Sequence, residues 1–248
     1  MNGWLAVDKP SGMTSREVVN AVQNWFPRRT KVGHTGTLDP RATGLLVICI
    51  GEATKLADTV QSMGKRYWSR IRLGATSDTD DADGAIVETA TATPPDEAAV
   101  RAAIPTFIGS IMQLPPIYSA LKVGGKRAHK LARRGIDPKL EPRTVRVDAI
   151  RLLSYDWPYL ELEIDCGKGT YVRSIARDLG AIFGVGGLVQ ELRRTRVGPF
   201  VVEEAIPLES SRHAAVAALQ PLERSSLYIE RGDSIRFVSP TRKRGEPA

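Results

Sequence analysis

The stretch from Lys31 to Gly51, KVGHTGTLDPRATGLLVICIG, decides how the rest of the chain is read. It sets one carboxylate, Asp39, on a loop of small and basic residues. Pro40 pushes Asp39 out of helical geometry toward an extended backbone, and Gly33, Gly36 and Gly44 allow close approaches closed to other residues. Leu45 to Ile50 is then an unbroken apolar run, the mark of a strand buried on both faces. Asp39 is thus expected on a stiff loop leading into the core, with Lys31, His34 and Arg41 near it in sequence. A buried carboxylate is costly unless paired, so a cationic partner or a chemical role is expected. An Asp-Pro pair is also a common turn former. A phosphate-cradling loop fits poorly, since no Gly-Lys-Ser/Thr ending follows and a strand stands where a helix should.

Working outward, 248 residues suffice for one large domain or a domain with an appendage. The 42% hydrophobic and 25% charged fractions are those of a globular chain. No run reaches membrane-span length, and MNGWLAVDKP lacks a basic-then-apolar signal pattern. Cys49 and Cys166 each sit in an apolar strand-like run, so buried thiols and a cytoplasmic location are expected rather than a bridge. His34, His129 and His213 are scattered, and no metal-ligand cluster is read. The net charge is +7, and eight basic residues against two acidic ones between Lys122 and Arg143 carry +6 of it. Such a concentration suits a polyanion-facing surface or a solvated charged helix. Lys126 to Arg134 reads as a short basic helix, with Lys126, Arg127, Lys130, Arg133 and Arg134 available to a phosphate backbone.

Gly3 to Val7 is expected as a strand. Thr14 and Glu17 form a capping box for a helix with Val18, Val19, Val22, Trp25 and Phe26 on its buried face, ended by Pro27. Lys9 reads as a substrate contact or a solvated loop lysine. Ala53 to Met63 is expected as a helix stopped by Gly64. In KRYWSRIRLG, strict alternation puts Tyr67 on the same face as Ser69, Ile71 and Leu73. Its hydroxyl needs a partner, either in the core or as part of a site. SDTDDADG fails the calcium-loop pattern and reads as an acidic turn. Thr93 is expected to cap a helix running to about Phe107. Leu160, Leu162, Ile164 and Cys166 alternate as a half-exposed strand. Thr170 then caps a helix with a stripe of Val172, Ile175, Ala176 and Leu179, closed by Gly180. Arg173 lies off that stripe in the first turn, where a cation opposes the helix dipole and a nearby anion such as Asp39 relieves it. Leu188, Val189 and Leu192 read as a short apolar helix face. An alanine-rich helix follows at about residues 211–219, then a basic tail, SPTRKRGEPA, expected to fray. Arg231-Gly232-Asp233 reads as an ordinary turn.

Six of these pieces together resemble the TruB family of tRNA pseudouridine synthases: DKPSGMTS (Asp8 to Ser15), GHTGTLDPRATGLL (Gly33 to Leu46), KRY (Lys65 to Tyr67), LPPIYSALKVGGKRAHKLARRG (Leu114 to Gly135), GTYVRSIARDLG (Gly169 to Gly180) and LRRTRVGPF (Leu192 to Phe200). They fall in the family's order over about residues 3–205. The resemblance implies an α+β pseudouridine synthase fold, with a mixed, mainly antiparallel central sheet flanked by helices and loops, over residues 1–206. It implies isomerisation of uridine 55 in the T-arm loop of tRNA, without cofactor or metal, by a monomer. Asp39 is implied as the catalytic aspartate, Tyr67 as the aromatic that stacks on uracil, and Arg173 as the ion-pair partner keeping Asp39 ionised. Tyr171 is implied beside them, Leu192 as a pocket wall, His34 against a displaced base, and Lys9 in a supporting loop. Residues 122–143 match the family's RNA-closing insertion, with His129 where an aromatic often stands. About forty residues follow the matching region where many relatives carry a PUA domain. Residues 207–248 are therefore expected to hold a truncated PUA domain or none.

Three other readings compete. A glycoside-type hydrolase needs two facing carboxylates, and one good candidate is found. A non-catalytic RNA-binding protein with a structural Asp39 is the second. The third is a guide-dependent rRNA synthase of the related dyskerin type.

Overall fold

The computed structural model describes residues 1–90 and 93–222, and beyond them the backbone of two short paired strands, Leu227–Tyr228 and Arg236–Phe237. The Arg231-Gly232-Asp233 turn and the SPTRKRGEPA tail lie outside the described residues.

Strand β1 (Gly3–Lys9), helix α1 (Ser15–Gln23), β2 (Val32–His34) and β3 (Thr43–Ile50) come first. A 3-10 turn and α2 (Ala57–Ser62) lead into β4 (Lys65–Leu73), and β5 (Ala75–Ser77) pairs with β6 (Ile86–Glu88) around the acidic loop. Then come α3 (Glu97–Ala103) and β7 (Gly109–Gln113), followed by the basic insertion with β8 (Lys122–Val123), β9 (Lys126–Arg127) and α4 (Ala128–Ala132). The hairpin of β10 (Arg143–Asp156) and β11 (Tyr159–Cys166) precedes α5 (Val172–Ile182) and β12 (Gly187–Val197). Last are β13 (Phe200–Val201), β14 (Ile206–Pro207), α6 (Arg212–Ala217) and β15 (Gln220–Pro221).

One sheet runs β14-β1-β3-β12-β4-β11-β10-β7, with β2 on β3, β13 on β12 and β15 on β1. Two contacts in it are parallel, β1 with β14 and β3 with β12; the others are antiparallel. This is the expected α+β architecture. The sequence reasons are plain in β3 and β4. Leu45 to Ile50 are all buried, each side chain worth roughly 1.5–3 kcal/mol over exposure. In β4 burial alternates along the whole strand, and Tyr67, Ser69, Ile71 and Leu73 point into the core under α5. Two further apolar clusters lie at the β1–β3 end, one of them roofed by α1 and α6.

Several sequence expectations are corrected. Leu188, Val189 and Leu192 belong to β12 rather than to a helix, because a short apolar run fits either element and pairing with β4 decided it. The helix expected at residues 53–63 is a 3-10 turn, Gly51–Leu56, followed by one and a half turns of α-helix. Asp96, not Thr93, caps α3 by accepting from the Ala99 amide. The Thr170 hydroxyl donates to the Arg146 carbonyl instead of capping α5, whose N-cap is Tyr171. Gly180 does not end α5, which continues to Ile182. It is where helix and strand touch: a Cβ there would sit 2.1 Å from the Gly186 carbonyl carbon. Helix α1 stops at Gln23, before Trp25 and Phe26. The basic helix is only five residues long. The capping box of Thr14 and Glu17 is formed as expected.

From Ile206 to Leu222 the chain stays on this sheet: β14 and β15 both pair with the edge of β1 opposite β3, and Ala215 of α6 is buried with the α1 residues.

Candidate active site

The loop carrying Asp39 is held from beneath by three side chains. Lys9 is fully buried, and its ammonium donates to the carbonyls of Pro10 (2.9 Å), Pro40 (2.8 Å) and Ala42 (2.6 Å). Loss of hydration lowers its pKa from 10.5 to about 8, against the pull of Asp39. Arg194, also buried, donates to Leu45 O (2.8 Å) and Gly36 O (3.2 Å). Ser15 of α1 accepts from the Leu38 amide at 2.8 Å. The geometry requires glycine at position 44, where φ is +94° and a Cβ would lie 2.3 Å from the Arg194 carbonyl oxygen. There β3 and β12 run side by side, Arg194 opposite Gly44.

Arg173 reaches the loop from the first turn of α5. Its Nη2 is 3.0 Å from Asp39 Oδ2, so the ion pair expected between them is present. The guanidinium is shared: Nη1 also stands 3.2 Å from Asp81 Oδ2, and the two nitrogens donate to Thr79 O (2.8 Å) and Tyr118 O (3.0 Å). Burial pushes the Asp39 carboxyl above its ordinary value, Arg173 pulls it down, and Asp81 and Asp83 add to the rise. Lost hydration outweighs the Arg173 guanidinium, for which Asp81 also competes.

Above this pair opens a cleft of about 320 Å³, lined by Asp39, Tyr67, Tyr171, Arg173, Leu192 and Ser119 among others. Tyr67 is buried, which raises its hydroxyl's pKa, while Arg194 beside it pulls the other way. Tyr171 is held by its backbone, its amide donating to Gln113 Oε1 (2.8 Å) and its carbonyl accepting from Gln113 Nε2 (3.0 Å). Lys65, at the rim, donates to Gln61 O and Met63 O, both at 2.8 Å, and burial lowers its pKa to about 8.

The remaining expected residues fall elsewhere. His34 is half-buried on β2 below the loop, its Nδ1 accepting from the Gly36 amide at 3.3 Å. Burial first, then Arg16, Arg194 and Arg127, lowers its pKa and keeps the ring neutral. Lys9 is neither a surface contact nor a solvated lysine but a buried strut. Lys126, Arg127, Lys130, Arg133 and Arg134 are all exposed on β9, α4 and the turn after it. Among the described residues none of the five pairs with a carboxylate. His129 turns inward, its Nδ1 2.9 Å from the Ser119 carbonyl oxygen. Gln113, Asp81, Tyr118 and Arg194 escaped sequence reasoning. The Asp80-Asp81 doublet is the one usable signal, since two adjacent carboxylates call for two cations, and Arg173 and Arg177 supply them.

Among the described residues no group of three or more His, Cys, Asp or Glu side chains could hold a metal ion, and no helix is long and apolar enough to cross a membrane.

This sheet, with an aspartate loop opening on a tyrosine-walled cleft beside unpaired basic residues, is that of a pseudouridine synthase, an isomerase. The chain belongs to the TruB family of pseudouridylate synthases. The family's N-terminal domain matches residues 24–172, and the tRNA pseudouridylate synthase B C-terminal domain matches residues 173–228. That division falls in the first turn of α5, although the sheet runs across it. The tRNA pseudouridine synthase B of Gluconacetobacter diazotrophicus is 51% identical over 210 residues, covering 84% of this chain and 68% of that protein. The Ruegeria pomeroyi protein of the same name is 47% identical over 229 residues, 90% of this chain and 75% of that one. Among solved structures, a Cbf5–Nop10–Gar1 complex superposes with a TM-score of 0.69 at 28% identity, over 90% of this chain and 60% of that chain.

Proposed function

We propose that this chain isomerises uridine 55 to pseudouridine in the T-arm loop of tRNA, as a monomer and with Asp39 as the catalytic group. The reaction breaks the bond from C1′ to N1, rotates the uracil and joins C1′ to C5; the C5 proton leaves and N1 gains one. No net oxidation occurs, so positioning and charge carry the catalysis. The observation that carries the reading is Asp39 held 3.0 Å from Arg173 at the floor of a cleft walled by Tyr67, Tyr171 and Leu192. The cleft volume is in the range of small-molecule sites, which suits one extruded nucleoside. Flipping the base costs about a few kcal/mol, and stacking on an aromatic ring returns roughly 1–3 kcal/mol, the role given to Tyr67. Asp39 in its ionised form attacks C1′ or removes a sugar proton. Tyr67 and Arg194 flank the base, and Lys126, Arg127, Lys130, Arg133 and Arg134 take the phosphate backbone. His34, neutral and below the loop, supports the face from which the base departs.

The name shared by the similar proteins supports tRNA as the substrate, and the unpaired basic insertion supports a polyanion. Purified protein with transcribed tRNA and with a bare T-arm minihelix tests the reading, scored by mass spectrometry of position 55. Modification of both without guide RNA is expected, and abolition by Asp39→Asn. Full activity of Asp39→Asn removes the aspartate mechanism, and a strict need for a guide RNA favours the dyskerin-type alternative.

A further inference from the structure

Ser119 lies where the basic insertion meets the cleft, and its backbone is tied on both sides. Its carbonyl accepts from the His129 amide (3.1 Å) and lies 2.9 Å from His129 Nδ1. The carbonyl of Tyr118, one residue earlier, accepts from Arg173. Its hydroxyl is different. Ser119 is 3% exposed, lines the cleft, and its Oγ has no hydrogen-bond partner among the described residues. A buried hydroxyl left unpaired is destabilising, and such a group in a site calls for an explanation.

The Tyr171 hydroxyl provides one. It shares the cleft, and Ser119 is near enough to favour its ionised form against the burial that raises its pKa, yet the two oxygens do not meet in hydrogen-bond geometry. Tyr171 cannot shift its main chain, because the Gln113 amide grips it at both ends. Its ring can turn about the side-chain torsions alone. We propose that Ser119 is a positioning residue for the pocket: when uridine enters, the Tyr171 ring swings until its hydroxyl pairs with the Ser119 hydroxyl, fixing the wall against which the base is held. The unpaired hydroxyl of the empty cleft is then satisfied only in the loaded one, so the contact favours the loaded state. This inference rests on the uridine-isomerising reading above.

The experiment is a double-mutant cycle on the full chain with tRNA, using Ser119→Ala, Tyr171→Phe and the double variant. One ordinary hydrogen bond corresponds to a loss of about tenfold. Each single variant is expected to lower kcat by that factor with KM for tRNA unchanged, and the double variant to be no slower than the slower single. Ser119→Thr and Ser119→Val have matched volume, so the threonine variant should stay active and the valine variant should not, whatever either does to stability. Equal activity of the two, or losses in the cycle that multiply, overturns the pairing. A wild type that makes no pseudouridine sinks the functional reading and this inference with it. An active wild type with an unimpaired Ser119→Ala sinks this inference alone.

Discussion

Replacing Lys9 by methionine keeps the stem and removes the ammonium that joins β1 to the chain just after Asp39, at Pro40 and Ala42. Two effects oppose each other. Lowering the pKa from 10.5 to about 8 corresponds to a net cost of about 3 kcal/mol for keeping the charge in the fold, burial set against the nearby acids, which the methionine variant does not bear. Against it stand three carbonyls that accept from a charged donor, each contact contributing roughly 1.5–3 kcal/mol. The Ala42 carbonyl is fully buried, so no water replaces the donor there. Three acceptors outweigh one desolvation, and the variant should lose about 2–4 kcal/mol. That is a drop of roughly 5–15 °C in Tm for a chain of this size, with a further fall in kcat of about tenfold or more as Pro40 and Ala42 loosen around Asp39. The pH dependence has a definite sign. Between about 8 and 10.5 the unfolded lysine holds its proton and the folded one does not, so wild-type stability relative to the variant rises with pH across that window. Lys65 titrates in the same range but is present in both proteins and cancels. Urea unfolding at pH 7 and pH 10 measures both effects. A methionine variant as stable as wild type at pH 7, or a gap that narrows with rising pH, refutes the role of Lys9 as a strut.

Because the Asp39 carboxyl lies above its ordinary value and must be ionised to act, activity should fall on acidification at a pH above the usual carboxylate midpoint of 3.8. A kcat profile flat down to that midpoint contradicts the placement. Charge reversal at Lys130 and Arg133, both exposed and without a carboxylate partner, should weaken tRNA binding and reduce its salt slope by about 1 to 2 per residue reversed. Unchanged slopes in a titration from low to moderate salt remove these two residues from the interface.

What was legible in the sequence is what local pattern encodes. Period-two burial in β4 announced which way Tyr67 points, and the apolar run of β3 announced burial on both faces. The Thr14 capping box could be read because both partners lie three residues apart. What was hidden depends on distant partners. The β12 residues carry no period that separates strand from helix, and only their ladder with β4 settles the matter. Lys9 looks solvated in a polar loop, yet its partners at positions 40 and 42 are over thirty residues away. The acidic loop reads as a plain turn because its cations, Arg173 and Arg177, sit on a helix more than ninety residues later.

The acid and its guanidinium come from opposite sides of a seam. Asp39 hangs from the β3 edge and Arg173 from the helix over β4, while strands β3 and β12 are zipped by only two residue pairs, Arg193 with Thr43 and Arg194 with Gly44. Leu38 and Ala42 of the Asp39 loop cross from one side into the far core, and Val197 and Phe200 of β12 and β13 cross back into the β1–β3 core. Mechanical or thermal stress should therefore open this joint first, so that catalysis fails while both cores remain intact. Inactivation should precede the loss of helical signal on heating.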